Sequence, residues 1–304
     1  MKKLAVLALK GGVGKSTVVA GLSLALVKKK YKVGCVDLDV TGSNLYSALG
    51  LEHSPRWELD SINEKIIVPE VNGYWLLSIA SFAGEENAIM WDGSQNAELM
   101  EAMRKLDEIK VGSEPLVMSG KLEEIRRQID DVLASSKWRY VTELLSEDIV
   151  TWPEPLDYQL FDLPPSSSQE MFSFLDQTKD LFGVFIVSQP SAIATTGLVR
   201  TIDLLRVKQI PIVGLVVNQD GFLNCHGRIE YQFLSPRVDL EAVARKAGIP
   251  FLMSLPQSGD MKKLEPYFAE LAGKIAGSTP VVLKDVTLGK KLKRKLAKGI
   301  ARRL

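Results

Sequence analysis

Short apolar runs alternate along the chain with stretches whose apolar residues recur at helical spacing. The apolar runs, each bounded by polar or turn-forming residues, lie at 3–9, 32–37, 74–78, 158–162, 181–188, 212–218 and 251–255. The helical stretches lie at 15–30, 192–208 and 240–247. Strands that are apolar on both faces and alternate with helices are typical of a parallel sheet covered on both sides. We therefore predict an α/β fold with a doubly wound, mainly parallel sheet.

One segment interrupts this alternation. Residues 97–108, 121–134 and 138–147 have the composition of polar helices with dense charge. Pro153 and Pro155 follow them and close the segment before the next strand. We predict that residues from about 96 to 152 are a helical insertion in a single domain that spans 1–283.

The composition is that of a soluble globular protein. The 304 residues include 46% hydrophobic and 25% charged side chains, which is ordinary for this class. No apolar run approaches the ~20 residues that a membrane-spanning helix needs, and the first residues lack the pattern of a signal peptide. Cys35 and Cys225 provide no disulfide framework. These features lead us to expect a cytoplasmic protein.

The last residues, 284–304, form a strongly basic tail. They contain nine basic residues and one acidic residue, whereas the remaining 283 residues contain 29 basic and 36 acidic ones. Leucine or isoleucine occupies every fourth position from 288 to 304, which predicts an amphipathic helix with a basic opposite face. Such a helix fits an anionic membrane surface or an acidic protein, and a solvated tail fits equally well. Nucleic acid is a weaker alternative, because the tail has no aromatic residue for base stacking.

A glycine-rich loop directly follows the first predicted strand. Its sequence from residue 10 to 17 is Lys-Gly-Gly-Val-Gly-Lys-Ser-Thr, and a predicted helix comes next. Glycines let successive backbone N–H groups turn toward phosphate oxygens, the second lysine neutralises the outer phosphates, and the serine hydroxyl can bind Mg²⁺. The loop therefore predicts a site for a nucleoside triphosphate and Mg²⁺. Its candidate binding residues are Gly11, Gly12, Val13, Gly14, Lys15, Ser16 and Thr17, with Ser16 as a metal ligand.

Acidic residues follow two other predicted strands. Asp37 and Asp39 come at the end of the second strand, and Asp162 ends the run at 158–162. The carboxyl ends of the strands in an open α/β sheet form its ligand crevice, so we expect these side chains beside the glycine-rich loop. A carboxylate at Asp162 would accept a hydrogen bond from a Mg²⁺-bound water, which makes this residue the second metal candidate.

The pattern K-G-G-x-G-K-[ST], in which Leu9 replaces the first glycine of the standard phosphate loop, resembles that of the deviant Walker A ATPases. The resemblance implies slow ATP hydrolysis by a homodimer that encloses ATP between its two subunits. It implies that Lys10 reaches the phosphates bound by the partner and acts there like an arginine finger. It also implies that Asp39 positions the attacking water. The catalytic candidates are Lys10, Lys15 and Asp39.

Further segments resemble the Mrp/ApbC family, the iron–sulfur carrier branch of these ATPases. These segments are 39–44, 89–93, 161–165 and 188–192, and the resemblance covers about 1–95 and 150–275. It implies a role in carrying or assembling iron–sulfur clusters with an unidentified protein partner or cargo. It also implies that Asn218 hydrogen-bonds the adenine edge. Ser166 replaces the glycine that follows the two prolines in the family, which predicts an altered switch.

The sequence departs from this family at its cluster ligands. Family members follow the asparagine with a C-x-x-C pair that holds a [4Fe–4S] cluster between two subunits, and the corresponding residues here are Asn224 and Gly227. Cys225 and His226 lie between them, so the region is either a plain loop or a metal site of another kind.

Two other functions stay open. One is a ParA/MinD-like positioning ATPase whose basic tail attaches to membrane or nucleoid, and the other is a nucleotide-binding scaffold with negligible turnover.

Overall fold

The structure is a computed structural model that describes residues 1–8, 10–39, 44–55, 58–60, 65–78, 150–164, 171, 174–175, 178, 180–231 and 237–284. Its strands are β1 Lys2–Leu7, β2 Val33–Asp37, β3 Glu58–Asp60, β4 Lys65–Ile67, β5 Glu70–Val71, β6 Tyr74–Ser78, β7 Val150–Thr151, β8 Tyr158–Asp162, β9 Gly183–Ser188, β10 Ile212–Leu223, β11 Ile229–Glu230 and β12 Phe251–Gln257. Its helices are α1 Lys15–Lys28, α2 Leu45–Ala48, α3 Ala192–Val207, α4 Leu240–Ala247 and α5 Met261–Ala276. Residues 96–149 of the predicted helical insertion and the tail from 285 onward lie outside the described residues, whereas residues 150–152, at the end of that insertion, include β7.

The main sheet has the strand order β11-β10-β9-β1-β8-β2-β6-β5, and β12 pairs with β10 beside this path. The pairs among β1, β2, β6, β8, β9, β10 and β12 are parallel. Only the outer strands β5 and β11 join this sheet in the antiparallel direction, within the part of the chain that is described. A separate small sheet has the order β3-β4-β7. The predicted mainly parallel α/β sheet is confirmed.

The two faces of the sheet pack against different helices. On β1, Leu4 and Val6 join the core that contains the buried residues of α1 and α5. Ala5 and Leu7 join the opposite core, which contains the buried residues of α3 and α4. All four side chains are fully buried. A strand with two buried faces has no polar positions to alternate with apolar ones, which is why its sequence is a continuous apolar run.

The register of the central strands brings the polar ends of several strands to one edge. Leu7 of β1 lies opposite Ile186 of β9, and Asp37 of β2 lies opposite Asp162 of β8. In the next pair, Ser188 of β9 lies opposite Val217 of β10. The loops that follow β1, β2, β8, β9 and β10 therefore leave the sheet at the same carboxyl edge, where such folds bind ligands.

Some elements differ from the sequence prediction. β10 continues to Leu223, five residues beyond its predicted end, and forms a hairpin with β11. Helix α5 was not predicted, since Pro266 and Gly273 within it are residues that usually argue against a helix. It forms nonetheless because its apolar face packs against α1. Among the described residues, no helix combines the length and the apolar character that crossing a membrane requires.

Candidate functional site

The glycine-rich loop connects β1 to α1 at the carboxyl edge of the sheet. Gly12 and Gly14 both have left-handed backbone angles, with φ of 75° and 85°. Gly14 precedes the first residue of α1 and allows the chain to turn into that helix. A Cβ atom at Gly14 would lie 2.2 Å from Nδ2 of Asn218, so both the angle and the space require glycine at this position.

Asn218, on β10, holds the glycine-rich loop through a side-chain hydrogen bond. Its Nδ2 atom donates a hydrogen bond of 2.8 Å to the carbonyl oxygen of Val13, and both side chains are buried. This bond joins residues that are 205 positions apart in the sequence. It fixes the loop against the sheet. The predicted contact of Asn218 with adenine is not tested by this geometry and stays a prediction.

Lys15 and Ser16 begin α1 and face the acidic residues of the neighbouring strands. Lys15 is only 8% exposed, and burial lowers the pKa of its ammonium, while the negative charges of Asp162, Asp39 and Asp37 act in the opposite direction. The hydroxyl of Ser16 hydrogen-bonds the carboxyl group of Asp162. The structure therefore brings together Lys15, the metal candidates Ser16 and Asp162, and Asp39, which is the predicted catalytic carboxylate.

Asp162 is a buried carboxyl group with a raised pKa. It is 2% exposed, and its Oδ1 atom is buried with no hydrogen-bond partner among the described residues. Burial raises its pKa to about 7, helped by the charge of Asp37 and opposed by the Ser16 hydrogen bond and the charge of Lys15. A buried carboxylate oxygen without a partner favours either a proton or a cation.

Asp37 organises the chain that follows β2. One of its carboxylate oxygens accepts a hydrogen bond of 3.1 Å from the backbone N–H of Asp39, and the other accepts one of 3.2 Å from that of Leu45. The side chain thus holds both ends of the loop that separates β2 from α2. It is 1% exposed, whereas Asp39 is half-buried at the edge of the crevice. These contacts place Asp37 behind the loop, and the role of Asp39 in positioning water stays a prediction.

Lys10 lies at the start of the loop and contacts a residue of segment 188–192 that was not among the predicted site residues. Its Nζ atom donates a hydrogen bond of 3.2 Å to Oε1 of Gln189, which directly follows β9. Nε2 of Gln189 in turn donates to the carbonyl oxygen of Gly12 at 3.3 Å and to Oε1 of Gln219. A signal was available, because Gln189 is the first polar residue beyond an apolar strand next to β1.

A pocket of about 270 Å³ adjoins this network. Its polar lining includes Gln189, Gln219, Gln257 and the ion pair of Asp220 with Arg237. The guanidinium of Arg237 donates two hydrogen bonds, of 2.7 and 2.6 Å, to the carboxylate of Asp220, which is only 3% exposed. The pocket lies close to Asn218 along β10, since Gln219 and Asp220 line it.

A sequence model of the ParA family, described as NUBPL iron-transfer P-loop NTPase, matches residues 1–110 and 133–272. The chain belongs to this family. Sequence relatives of the NUBPL-type chain include an iron-sulfur cluster carrier protein of Pyrococcus abyssi, 26% identical over 97% of this chain and 86% of that protein. Another is the cytosolic Fe-S cluster assembly factor Nubp2 homolog 2 of Drosophila yakuba, 28% identical over 92% of this chain and 88% of the relative.

Solved structures show the same fold. A nucleotide-binding protein of Archaeoglobus fulgidus in complex with ADP has a TM-score of 0.59 at 23% identity and covers 92% of this chain and 93% of its own. The cell division ATPase MinD of Pyrococcus furiosus has a TM-score of 0.51 at 18% identity, with 90% of this chain and 98% of MinD covered. Both likenesses support the P-loop NTPase fold of the NUBPL-type chain.

The hairpin of β10 and β11, where the family pattern has its C-x-x-C pair, is a compact turn. Oδ1 of Asn224 accepts hydrogen bonds of 2.9 Å from the backbone N–H groups of His226 and Arg228. Its Nδ2 atom donates to Glu230 at 2.5 Å, and Cys225 is exposed. Asn224 therefore stabilises the turn with its own side chain. Among the described residues, no group of three or more His, Cys, Asp or Glu side chains is placed to hold a metal ion.

Proposed function

We propose that this NUBPL-type P-loop NTPase is a Mg²⁺-dependent, ATP-hydrolysing dimeric switch of the Mrp type that acts in iron–sulfur cluster assembly. The observation that carries the proposal is the buried Oδ1 atom of Asp162, which has no hydrogen-bond partner among the described residues. The same carboxyl group lies next to the Ser16 hydroxyl and the Lys15 ammonium. Carboxylate, hydroxyl and phosphate oxygens are the ligands that Mg²⁺ uses in nucleotide sites. The residues present therefore fit the cation that the family implies.

In this proposal the backbone N–H groups from Gly11 to Thr17 surround the phosphates of ATP, and Lys15 neutralises their charge. Ser16 and Asp162 hold Mg²⁺, which offsets charge on the outer phosphates when bound. The half-buried Asp39 orients the attacking water. Asn218 keeps the loop in its binding conformation and contacts the base that enters the neighbouring pocket.

Lys10 is the residue that supports a dimer in this proposal. In the described residues its ammonium contacts Gln189, on the surface of its own subunit, rather than any of the acidic residues around Lys15. A lysine in this position can extend toward a second subunit that faces the loop. We propose that two chains enclose ATP, that each supplies Lys10 to the other's phosphates, and that hydrolysis releases them. We also propose that residues 1–283 form the single ATPase domain and that residues 284–304 form the basic tail.

A [4Fe–4S] cluster does not fit the hairpin of this chain. Asn224 and Gly227 offer no thiolate, and the exposed Cys225 provides one thiolate per subunit at the hairpin, whereas such clusters are held by four thiolates. We therefore propose a role in cluster assembly that does not involve a cluster held at this hairpin. The relatives that carry the words iron-sulfur or Fe-S in their names are the basis for this pathway.

The experiment is a pair of measurements on the full chain: phosphate release from Mg-ATP and sedimentation velocity with and without Mg-ATP. We expect slow turnover and a shift from monomer to dimer that needs both Mg²⁺ and ATP. Lys15→Ala should lose both, whereas Lys28→Ala, at the exposed end of the same helix, should keep both. Absence of nucleotide binding in the wild-type chain would refute the proposal, and binding without turnover would favour the scaffold alternative.

A further inference from the structure

We infer that Gln189 is a latch that holds Lys10 against its own subunit and thereby opposes dimer formation until ATP binds. The inference rests on the proposed function, since it concerns the regulation of that same site. It makes Gln189 a positioning residue, which acts on the phosphates only through Lys10.

The register of the sheet explains why these two residues meet. β1 and β9 are parallel neighbours, with Leu7 opposite Ile186, and Lys10 and Gln189 lie three residues further along each chain. Leu7 and Ile186 are 179 positions apart in the sequence, and so are Lys10 and Gln189. The contact is a continuation of the strand pairing into the two loops, so the fold itself places the amide beside the ammonium.

The amide of Gln189 is held in one orientation by its other contacts. Its Nε2 atom donates to the carbonyl oxygen of Gly12 and to Oε1 of Gln219. With both donors directed to those acceptors, Oε1 points to Lys10, at 3.2 Å from Nζ. An oxygen fixed in this way is a better acceptor for an ammonium than a mobile side chain, because less conformational entropy is lost.

The latch has a predictable effect on self-association. In the proposed dimer Lys10 contacts the partner's phosphates, so its hydrogen bond to Gln189 must break in both subunits. A hydrogen bond to a charged group that is half-exposed stabilises the separated subunits modestly, and the two bonds add in one dimerisation step. Removing the acceptor should lower the concentration of half-maximal dimerisation at saturating Mg-ATP by about fivefold.

The first test needs no nucleotide. We would label the amines of the nucleotide-free full chain briefly with an N-hydroxysuccinimide ester and follow Lys10 by mass spectrometry. Gln189→Ala should raise the labelling rate of Lys10 several-fold, because its amine is no longer engaged. Gln209→Ala is the matched control, since the Nε2 atom of Gln209 also donates to two acceptors, the backbone carbonyl oxygens of Arg206 and Leu283, but lies far from the loop. Equal Lys10 labelling in the wild type and Gln189→Ala would overturn the latch.

The second test uses sedimentation velocity at saturating Mg-ATP. Gln189→Ala should dimerise at lower concentration, and Gln189→Glu, whose carboxylate attracts Lys10 more strongly, should need a higher concentration that falls as salt is added. If both variants only damaged the loop, the concentration of half-maximal dimerisation would shift in the same direction in both. That result would overturn the inference. In a Lys10→Ala background, Gln189→Ala should have no further effect. Failure of the wild type to dimerise at all would instead refute the proposed function, whatever the labelling result.

Discussion

Asn218 and Val13 are joined by a 2.8 Å hydrogen bond from a side-chain amide to a backbone carbonyl, which couples β10 to the phosphate loop. Asn218→Ala removes this bond and leaves a buried carbonyl oxygen unsatisfied. We expect a loss of about 1–2 kcal/mol in the free energy of unfolding, measured with urea. We also expect ATP affinity, measured by calorimetry, to fall about tenfold, because the loop is no longer held in its binding conformation.

Asn218→Asp is the informative partner variant. Its carboxylate has nearly the same shape but cannot donate to Val13, so it should bind ATP no better than Asn218→Ala. Unchanged ATP affinity in both variants would show that the loop is positioned without Asn218.

The charge of Asp162 predicts how the stability of the nucleotide-free protein depends on pH. The native carboxyl group has a pKa of about 7, above its ordinary value of 3.8, so the native state keeps a proton that the unfolded chain has lost. Stability should therefore fall as pH rises from about 4 to 7 through this group. Asp162→Asn removes this penalty, and the variant should gain stability over the wild type in that window, by about 4 kcal/mol at most.

Thermal unfolding at pH 5 and pH 8 checks this prediction. The variant should be more stable than the wild type at pH 8, with a smaller difference at pH 5. Its affinity for Mg-ATP should be lower at both values, because the amide cannot replace a carboxylate near the cation. A variant that is equally destabilised at both pH values would contradict the assignment of a raised pKa to Asp162.

The ion pair of Asp220 and Arg237 stabilises the end of β10. Asp220 is buried, whereas the side chain of Arg237 is 54% exposed. Arg237→Ala leaves the carboxylate buried and unpaired, and we expect a loss of about 1–3 kcal/mol, less than for a fully buried pair because water reaches the site. Adding Asp220→Asn should restore most of that loss. The measurement is urea unfolding of the two single variants and the double variant. Additive losses in the free energy of unfolding would contradict the prediction.

The hairpin predicts the result of anaerobic reconstitution with iron and sulfide. The wild-type chain should show no [4Fe–4S] absorbance, since Asn224 and Gly227 stand where the family pattern has cysteines. The variant Asn224→Cys/Gly227→Cys should gain visible absorbance and about two irons per chain, because a dimer would then supply four thiolates. Asn224→Ser/Gly227→Ser, which also loses the turn contacts of Asn224, is the control. A cluster in the wild type would contradict our interpretation of the hairpin.

The sequence was sufficient for features that depend on neighbouring residues. The apolar runs predicted the central strands, and the glycine spacing predicted the loop between β1 and α1, because both depend on local conformation. The sequence also placed Asp162 at the edge of the sheet near the loop, because parallel strands end at one edge. Its unpartnered oxygen and raised pKa depend on burial by other segments, and no local pattern reports that.

Contacts between distant segments were beyond the reach of these patterns. The bonds from Lys10 to Gln189 and from Asn218 to Val13 join residues 179 and 205 positions apart. They depend on the register of three strands, which the sequence pattern left open. Helix α5 was missed for a related reason, since its packing against α1 outweighs the unfavourable residues within it.

The central claim is that Lys10 acts on ATP bound by the other subunit, and a mixing experiment tests it most directly. Lys10→Ala and Asp39→Ala should each be almost inactive in phosphate release from Mg-ATP. An equimolar mixture should recover about a quarter of wild-type turnover, because half of the dimers are mixed and each has one complete site. If the mixture stays as inactive as the separate variants although mixed dimers form, Lys10 does not act across the interface and the account is wrong.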